Sequence, residues 1–183
     1  MLRLTFKTLA MLILIAGLPG TGKTTFARSL AAALDMQHLN SDLVRNSLGK
    51  RGQYTSSDKI SVYEEMLRKT EAYLKANQSV VLDATFYKKM YRRPFVALAK
   101  RYQMPMAWIE ISTAEETIRQ RLEKKRPDSE ADFEVYQKIK AEREPITESH
   151  LALWSDQLAL EEMVKQAKAY LVKEGTKNPA QPN

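Results

Sequence analysis

Residues Gly17-Leu18-Pro19-Gly20-Thr21-Gly22-Lys23-Thr24 fit the spacing G-x-x-x-x-G-K-[ST] in full. The chemistry of such a run is anion binding. Its glycines reach backbone conformations that other residues resist, so successive N–H groups can turn inward around a phosphate. A helix that follows adds its N-terminal dipole and unpaired N–H groups. Lys23 can then reach β- and γ-phosphates, and the Thr24 hydroxyl can take a place on Mg²⁺. Gly17 through Thr25 is therefore the candidate nucleotide cradle, with Lys23 also a candidate catalytic residue.

Two carboxylates are placed to work with that cradle. Asp83 ends the apolar run Val80-Val81-Leu82-Asp83, and an acid at the carboxyl end of a neighbouring strand can hold Mg²⁺ directly or through water. The next residue is Ala84, where mechanical ATPases often place a glutamate to activate water, and no N-K-x-D or T-K-x-D stretch marks a GTPase. Transfer to a substrate is favoured over hydrolysis. Asp42 follows a short run that reads as a second strand. A kinase of alcohols needs a carboxylate to orient the hydroxyl and accept its proton. Arg45, three residues on, shares a helix face with Asp42 and can clamp an anionic group on the acceptor. The structural alternative is that Ser41 or Asp42 only caps a helix.

Arg119, Arg121 and Arg126 precede a Pro127-Asp128 break. A mobile segment bearing arginines can close over the phosphates, exclude water and stabilise transferred charge. Arg121 and Arg126 are the candidate catalytic pair, and the lid is expected over residues 119–129. The stretch Phe86-Tyr87-Lys88-Lys89-Met90-Tyr91-Arg92-Arg93 interleaves aromatics with bases. It reads better as the start of an amphipathic helix than as a nucleic-acid surface.

Elements that would position these residues alternate along the chain. Strands are expected over Leu9–Ala16, Gln37–Ser41, Ser79–Ala84, Met106–Ile111 and Leu151–Trp154. Between them lie helical patterns: Phe26, Leu30 and Leu34; Ile60 to Leu74, with Ser57 as N-cap; 88–103; a helix opened by a Thr113/Glu116 capping box; one capped by Ser129; and Leu158–Val172. Alternating β and α segments predict an α/β protein with a mostly parallel sheet covered on both faces. One domain is expected over residues 11–173, with an extension over 1–10 and a disordered tail over 174–183.

Composition narrows the class further. The chain has 183 residues and no cysteine, which excludes disulfides and thiolate metal sites and makes the cytoplasm the expected compartment. Arg3 and Lys7 before the apolar run imitate a signal peptide, but the run leads straight into the glycine loop and reads as a buried strand. No segment is long enough to cross a membrane. The net charge of +7 is concentrated in residues 86–126, with 11 basic and 4 acidic side chains, which suits phosphate-bearing ligands.

The loop, the S-D-x-x-R segment at Ser41–Arg45, the strand ending L-D-A-T-F at Leu82–Phe86 and the arginines at 119–126 resemble the predicted P-loop kinase family related to the kinase domain of polynucleotide kinase. They are similar, more distantly, to zeta toxins, chloramphenicol phosphotransferase and gluconate kinase. The resemblance spans roughly residues 11–146. It implies a three-layer P-loop NTPase fold with a five-stranded parallel sheet in 2-3-1-4-5 order and an arginine lid. It also implies ATP·Mg²⁺ on Lys23 and Thr24, Asp83 near the metal, Asp42 as base, Arg45 on the acceptor and Arg121 or Arg126 in the lid. The leading reading is a small-molecule kinase. The alternatives are a polynucleotide 5′-hydroxyl kinase and an ATP-binding switch or ATPase without transfer.

Overall fold

A computed structural model of the chain describes residues 10–123 and 132–175. Five strands form one sheet: β1 (Leu12–Ala16), β2 (Gln37–Asn40), β3 (Val80–Asp83), β4 (Met106–Ser112) and β5 (Leu151–Trp154). All pairings are parallel and the order is β2-β3-β1-β4-β5. This is the three-layer P-loop NTPase fold. Central β1 is buried at every position, which explains its unbroken apolar run. Pleating sends its side chains alternately to the two faces. Leu12, Leu14 and Ala16 join Met66, Leu82, Phe95 and Trp108 under α3 (Ser56–Lys75) and α4 (Lys89–Arg101). Ile13 and Ile15 join Phe26, Leu30, Ile109 and Met163 under α1 (Lys23–Leu34) and α7 (Leu160–Gly175). Each such large apolar side chain contributes about 1.5–3 kcal/mol by leaving water.

Three shorter helices complete the described chain: α2 (Ser41–Ser47), α5 (Glu115–Glu123) and α6 (Phe133–Ala141). Strand β1 begins at Leu12 rather than Leu9, because its neighbours start at Val80 and Met106 and supply no earlier partners. Leu9, most of the expected extension over 1–10, Arg126, the Pro127-Asp128 break, Ser129 and the end of the expected tail lie outside the described residues. Helix α7 continues to Gly175, past the expected end at Val172. Among the described residues no helix is long and apolar enough to cross a membrane.

The helix starts differ from the sequence expectation at three places. Thr55, not Ser57, caps α3 in a full capping box with Asp58. Asp132 caps α6 through the Val135 N–H. Among the described residues the buried Thr113 hydroxyl has no hydrogen-bond partner, and the Ala114 N–H ahead of α5 is received by the Asp156 carboxylate at 2.9 Å. A side chain from the turn after β5 thus receives the N–H just ahead of α5, and no capping box forms between Thr113 and Glu116 among the described residues. In each case several Ser, Thr or Asp residues compete within a few positions, and tertiary contacts choose between them.

Candidate functional site

The glycine loop leaves β1 in the middle of the sheet, where the strand order reverses and a crevice opens beyond the strand ends. A Cβ on Gly17 would lie 2.6 Å from the Ile111 carbonyl oxygen, so the turn needs glycine there to pass β4. Gly22 has φ 86° and is the N-cap of α1 with no side-chain cap. The helix therefore presents its first N–H groups uncapped, as an anion site requires. Thr21 closes the loop on itself, its hydroxyl donating to the Leu18 carbonyl at 2.9 Å. Leu18 packs against Tyr87, Tyr91 and Ile139.

A cavity of about 660 Å³ opens from this loop. The cradle residues Pro19, Gly20, Gly22, Lys23, Thr24 and Thr25 line one part of it; Asp42 and Arg45 from α2 line another. Residues from α3, α5, α6 and the turn after β3 complete the wall. The volume is in the range of small-molecule sites.

Asp83 is fully buried at the end of β3. Its Oδ2 accepts from Asn40 Nδ2 at 2.6 Å, and His38 Nε2 lies 3.5 Å away. Among the described residues its Oδ1 has no hydrogen-bond partner. Burial works to raise this carboxyl. Hydrogen bonding from His38, the Lys23 charge, Asn40 and Thr24 outweigh it and hold the pKa below the ordinary aspartate value, so Asp83 is anionic at neutral pH. A buried anionic oxygen with no donor, beside a threonine hydroxyl and a lysine, fits a small hard cation that keeps most of its shell from water and phosphate. Among the described residues no group of three His, Asp or Glu gathers as a metal cage. A cation here would depend on Thr24, Asp83 and oxygens from a ligand.

Asn40 joins these parts. Its amide nitrogen bonds Asp83 and lies 3.5 Å from Thr24 Oγ1, and its carbonyl oxygen accepts from the Asp42 and Leu43 N–H groups at 2.9 and 3.0 Å. One side chain at the end of β2 thereby caps α2 and braces Asp83. Since Asn40 is the cap, neither Ser41 nor Asp42 fills that role, and half-buried Asp42 is among the residues that line the cavity. Asn40 and His38 were not singled out from the sequence. The available signal was that asparagine is a preferred cap, directly before Ser-Asp.

Arg45 is buried, with its Nη1 donating to the Gln53 carbonyl at 2.6 Å and its guanidinium 4.6 Å from the Tyr54 ring centre. Arg121 approaches the loop from the side of β5. Its Nη1 donates to Ser155 Oγ at 2.8 Å and to the Gly20 carbonyl at 3.3 Å, while Ser155 Oγ donates to the Thr21 carbonyl at 2.7 Å. Arg121 is not among the residues lining the cavity. Arg119 is exposed and lies 4.0 Å over the Phe133 ring.

The turn after Asp83 is held by aromatics. Phe86 has φ 46°, a left-handed conformation that costs a non-glycine residue roughly 1–2 kcal/mol. Its N–H donates to the Tyr63 hydroxyl at 3.1 Å, and its ring meets Phe95 and Trp108 edge-on. Burial raises the Tyr63 hydroxyl above its ordinary pKa.

The AAA_33 family, an AAA domain, matches residues 12–146. The chain belongs to that family. A curated relative, the uncharacterized protein Rv2004c of Mycobacterium tuberculosis, is 36% identical over 87 residues, a stretch that is 41% of this chain and 18% of that protein. The chain thus spans less than a fifth of the length of the curated relatives it matches. Solved structures extend the likeness over nearly the whole chain. Kti12 of Chaetomium thermophilum, in complex with ADP-AlF3, superposes with a TM-score of 0.74 at 19% identity, covering 91% of this chain and 100% of that one. The APS kinase CysC of Mycobacterium tuberculosis, with AMPPNP and APS, gives 0.70 at 14% identity, covering 90% and 98%. A sugar kinase from Janibacter gives 0.70 at 18% identity, covering 89% and 95%. In this AAA_33 member the fold is that of P-loop kinases. Asn40, Asp42, Arg45 and Asp83 fall inside the matched span, whereas Ser155 and Asp156 lie beyond it.

Proposed function

We propose that this protein is an ATP-dependent phosphotransferase that moves the γ-phosphoryl of ATP·Mg²⁺ to the hydroxyl of a small molecule. The observation that carries the reading is Asp42. It lines the same cavity as Lys23 and Thr24, and Asn40 rather than Asp42 caps α2. Within the family, the S-D-x-x-R and L-D-A-T-F segments support kinship with the kinase domain of polynucleotide kinase and with zeta toxins.

In this reading Gly17–Thr25 cradles the phosphates and Lys23 draws charge from the β- and γ-oxygens. Thr24 and Asp83 would hold Mg²⁺, which would neutralise phosphate charge when bound. Asp42 accepts the proton as the acceptor oxygen bonds to phosphorus and the bond to the β–γ bridging oxygen breaks. Arg45 holds the acceptor. Arg121 is in place to fix the loop through Gly20 and Ser155, and Arg126 remains the proposed lid arginine. A cytoplasmic location is part of the same proposal.

A small acceptor is preferred over a polynucleotide because much of the basic segment is engaged within the fold. Arg92 is buried on the Glu144 and Pro145 carbonyls, Lys88 pairs with Glu142, and Arg101 lies 3.9 Å from Glu71. The test is transfer from γ-labelled ATP with Mg²⁺ to a pooled metabolite extract and, separately, to a 5′-hydroxyl oligonucleotide. Label is expected in a metabolite and should fall about 10²–10⁴-fold with Asp42→Asn. Label only as free phosphate, unchanged by the substitution, would mean an ATPase or switch.

A further inference from the structure

The cavity has two unlike walls. Beside the cradle it is polar, with Lys23, Thr24 and Asp42 in its lining. On the side of α3 and the turn after β3 it is lined by Val62, Tyr63 and Tyr87, and Ile139 of α6 joins them. Val62, Tyr87 and Ile139 are only 1%, 4% and 8% exposed. They border the cavity yet are shielded from bulk water, so they line an inner part of it rather than its rim.

This wall is rigid. The Tyr63 ring stacks on Tyr91 with centres 4.4 Å apart and planes 8° from parallel, and Tyr87 meets Tyr91 at 5.4 Å. The Tyr63 hydroxyl receives the Phe86 N–H at 3.1 Å, which fixes the ring at its far end. Leu18 of the cradle and Val135 of α6 pack against Tyr87, Tyr91 and Ile139. Side chains already locked in place lose little freedom when a ligand binds.

Different acceptors would meet this wall differently. A polyol needs a partner for each hydroxyl that it withdraws from water. The Tyr63 and Tyr87 hydroxyls are already engaged, by the Phe86 N–H and by Lys59 Nζ at 3.0 Å. A quaternary ammonium needs bare ring faces, whereas Lys59 already lies 5.3 Å from the Tyr87 ring centre and Arg45 4.6 Å from that of Tyr54. A flat apolar body needs neither. It gains by leaving water and by contact of ring with ring.

We propose that the phosphoryl acceptor is a small alcohol built on an aromatic or other apolar ring, seated against Val62, Tyr63 and Tyr87 with its hydroxyl toward Asp42. The inference rests on the kinase reading and adds the acceptor's class. In the transfer the acceptor oxygen bonds to the γ-phosphorus, the bond to the β–γ bridging oxygen breaks, Asp42 takes the hydroxyl proton and ADP leaves. The ring forms no bond. Its burial holds the hydroxyl in line with the phosphate.

The test uses the full chain saturated with AMPPNP and Mg²⁺, so that the cradle is occupied. Benzyl alcohol and glycerol are then titrated separately, with binding followed by saturation-transfer NMR. Benzyl alcohol is expected to bind about tenfold or more tightly than glycerol. Val62→Thr keeps the shape of the side chain and sets a hydroxyl in the wall, and should weaken benzyl alcohol about threefold or more. Tyr87→Leu keeps apolar bulk and loses the ring, with about the same loss expected. AMPPNP affinity within about twofold of wild type reports that each variant is folded, and the wild-type comparison of the two alcohols stands without either variant. Glycerol bound as tightly as benzyl alcohol, no binding of benzyl alcohol, or an unchanged benzyl alcohol affinity in both variants overturns the inference and leaves the kinase reading standing. Failure of AMPPNP itself to bind removes the kinase reading and this inference with it.

Discussion

The carboxyl ends of β2 and β3 and the start of α3 are built alike and finished differently. Each joins a polar helix cap to an aspartate. At α3, the Thr55 hydroxyl receives the Asp58 N–H, and Asp58 returns the bond: its Oδ2 accepts from the Thr55 N–H and hydroxyl, and its Oδ1 takes Lys50 Nζ at 2.9 Å. Both oxygens are satisfied by the chain. At β2 and β3, Asn40 caps α2 and holds Asp83 Oδ2, yet Asp83 Oδ1 is buried with nothing to accept from. The pKa of each aspartate is lowered. A depressed carboxyl is thus no sign of function by itself. The saturated pair stabilises a helix, whereas the unsaturated one is fully buried beside Lys23 and Thr24, the place where the proposed function puts a cation.

Substitution can break that contrast. The largest effect is expected from Asp83→Asn, which keeps shape and removes charge. Phosphoryl transfer should fall about 100-fold or more and need far more Mg²⁺, as for loss of a metal-site partner, and the melting temperature should also fall, because a depressed buried carboxyl contributes stability at neutral pH. A magnesium titration of activity beside a thermal melt reads both. Asn40→Ala comes next. It removes a cap and a brace together, so about 0.5–2 kcal/mol of stability should be lost along with about tenfold in apparent Mg²⁺ affinity. Chemical denaturation and the same titration would show whether the two losses occur together. The smallest effect belongs to Asp58→Asn, with transfer unchanged. Its hydrogen bonds from Thr55, then Lys50, lower this carboxyl to about 2 from 3.8. A depressed folded pKa contributes stability that is fully present above the unfolded value and fades as pH falls through the folded one. The melting temperatures of wild type and variant should therefore differ by a few degrees at pH 6 and converge between pH 4 and 2. A gap that persists at pH 2 would mean the carboxylate charge is not what stabilises the helix start.

The sequence made the sheet order and the cradle legible, for different reasons. Strand order came from resemblance, which the parallel pairings bear out. The cradle is legible because phosphate geometry restricts which residues fit: Gly17 cannot carry a Cβ beside the Ile111 carbonyl. Asp83 stood out because it closes an apolar strand. What stayed hidden depends on contacts between distant segments. Asn40 is 43 residues from Asp83, and Ser155 is 134 residues from Thr21. The burial of Arg45 follows from the Gln53–Tyr54 segment folding over it, a tertiary event that no helical spacing encodes. Cap positions failed where several capping residues competed within one turn.

The bonds from Ser155 to Thr21 and from Arg121 to Gly20 and Ser155 also bear on where this protein's working unit ends. The family's shared stretch stops at Ile146, yet the loop that carries its signature is tied to a turn beyond that point. Strand β5 pairs with β4 from Ile109 to Ser112, and α7 packs Met163, Ala167 and Leu171 on the same face as Phe26 and Leu30. A fragment cut at the family boundary would bare a sheet edge and leave the cradle loosely held. The inherited module and the mechanical module are thus different lengths of the same chain, and variation after residue 146 can tune the nucleotide loop without altering one letter of its motif.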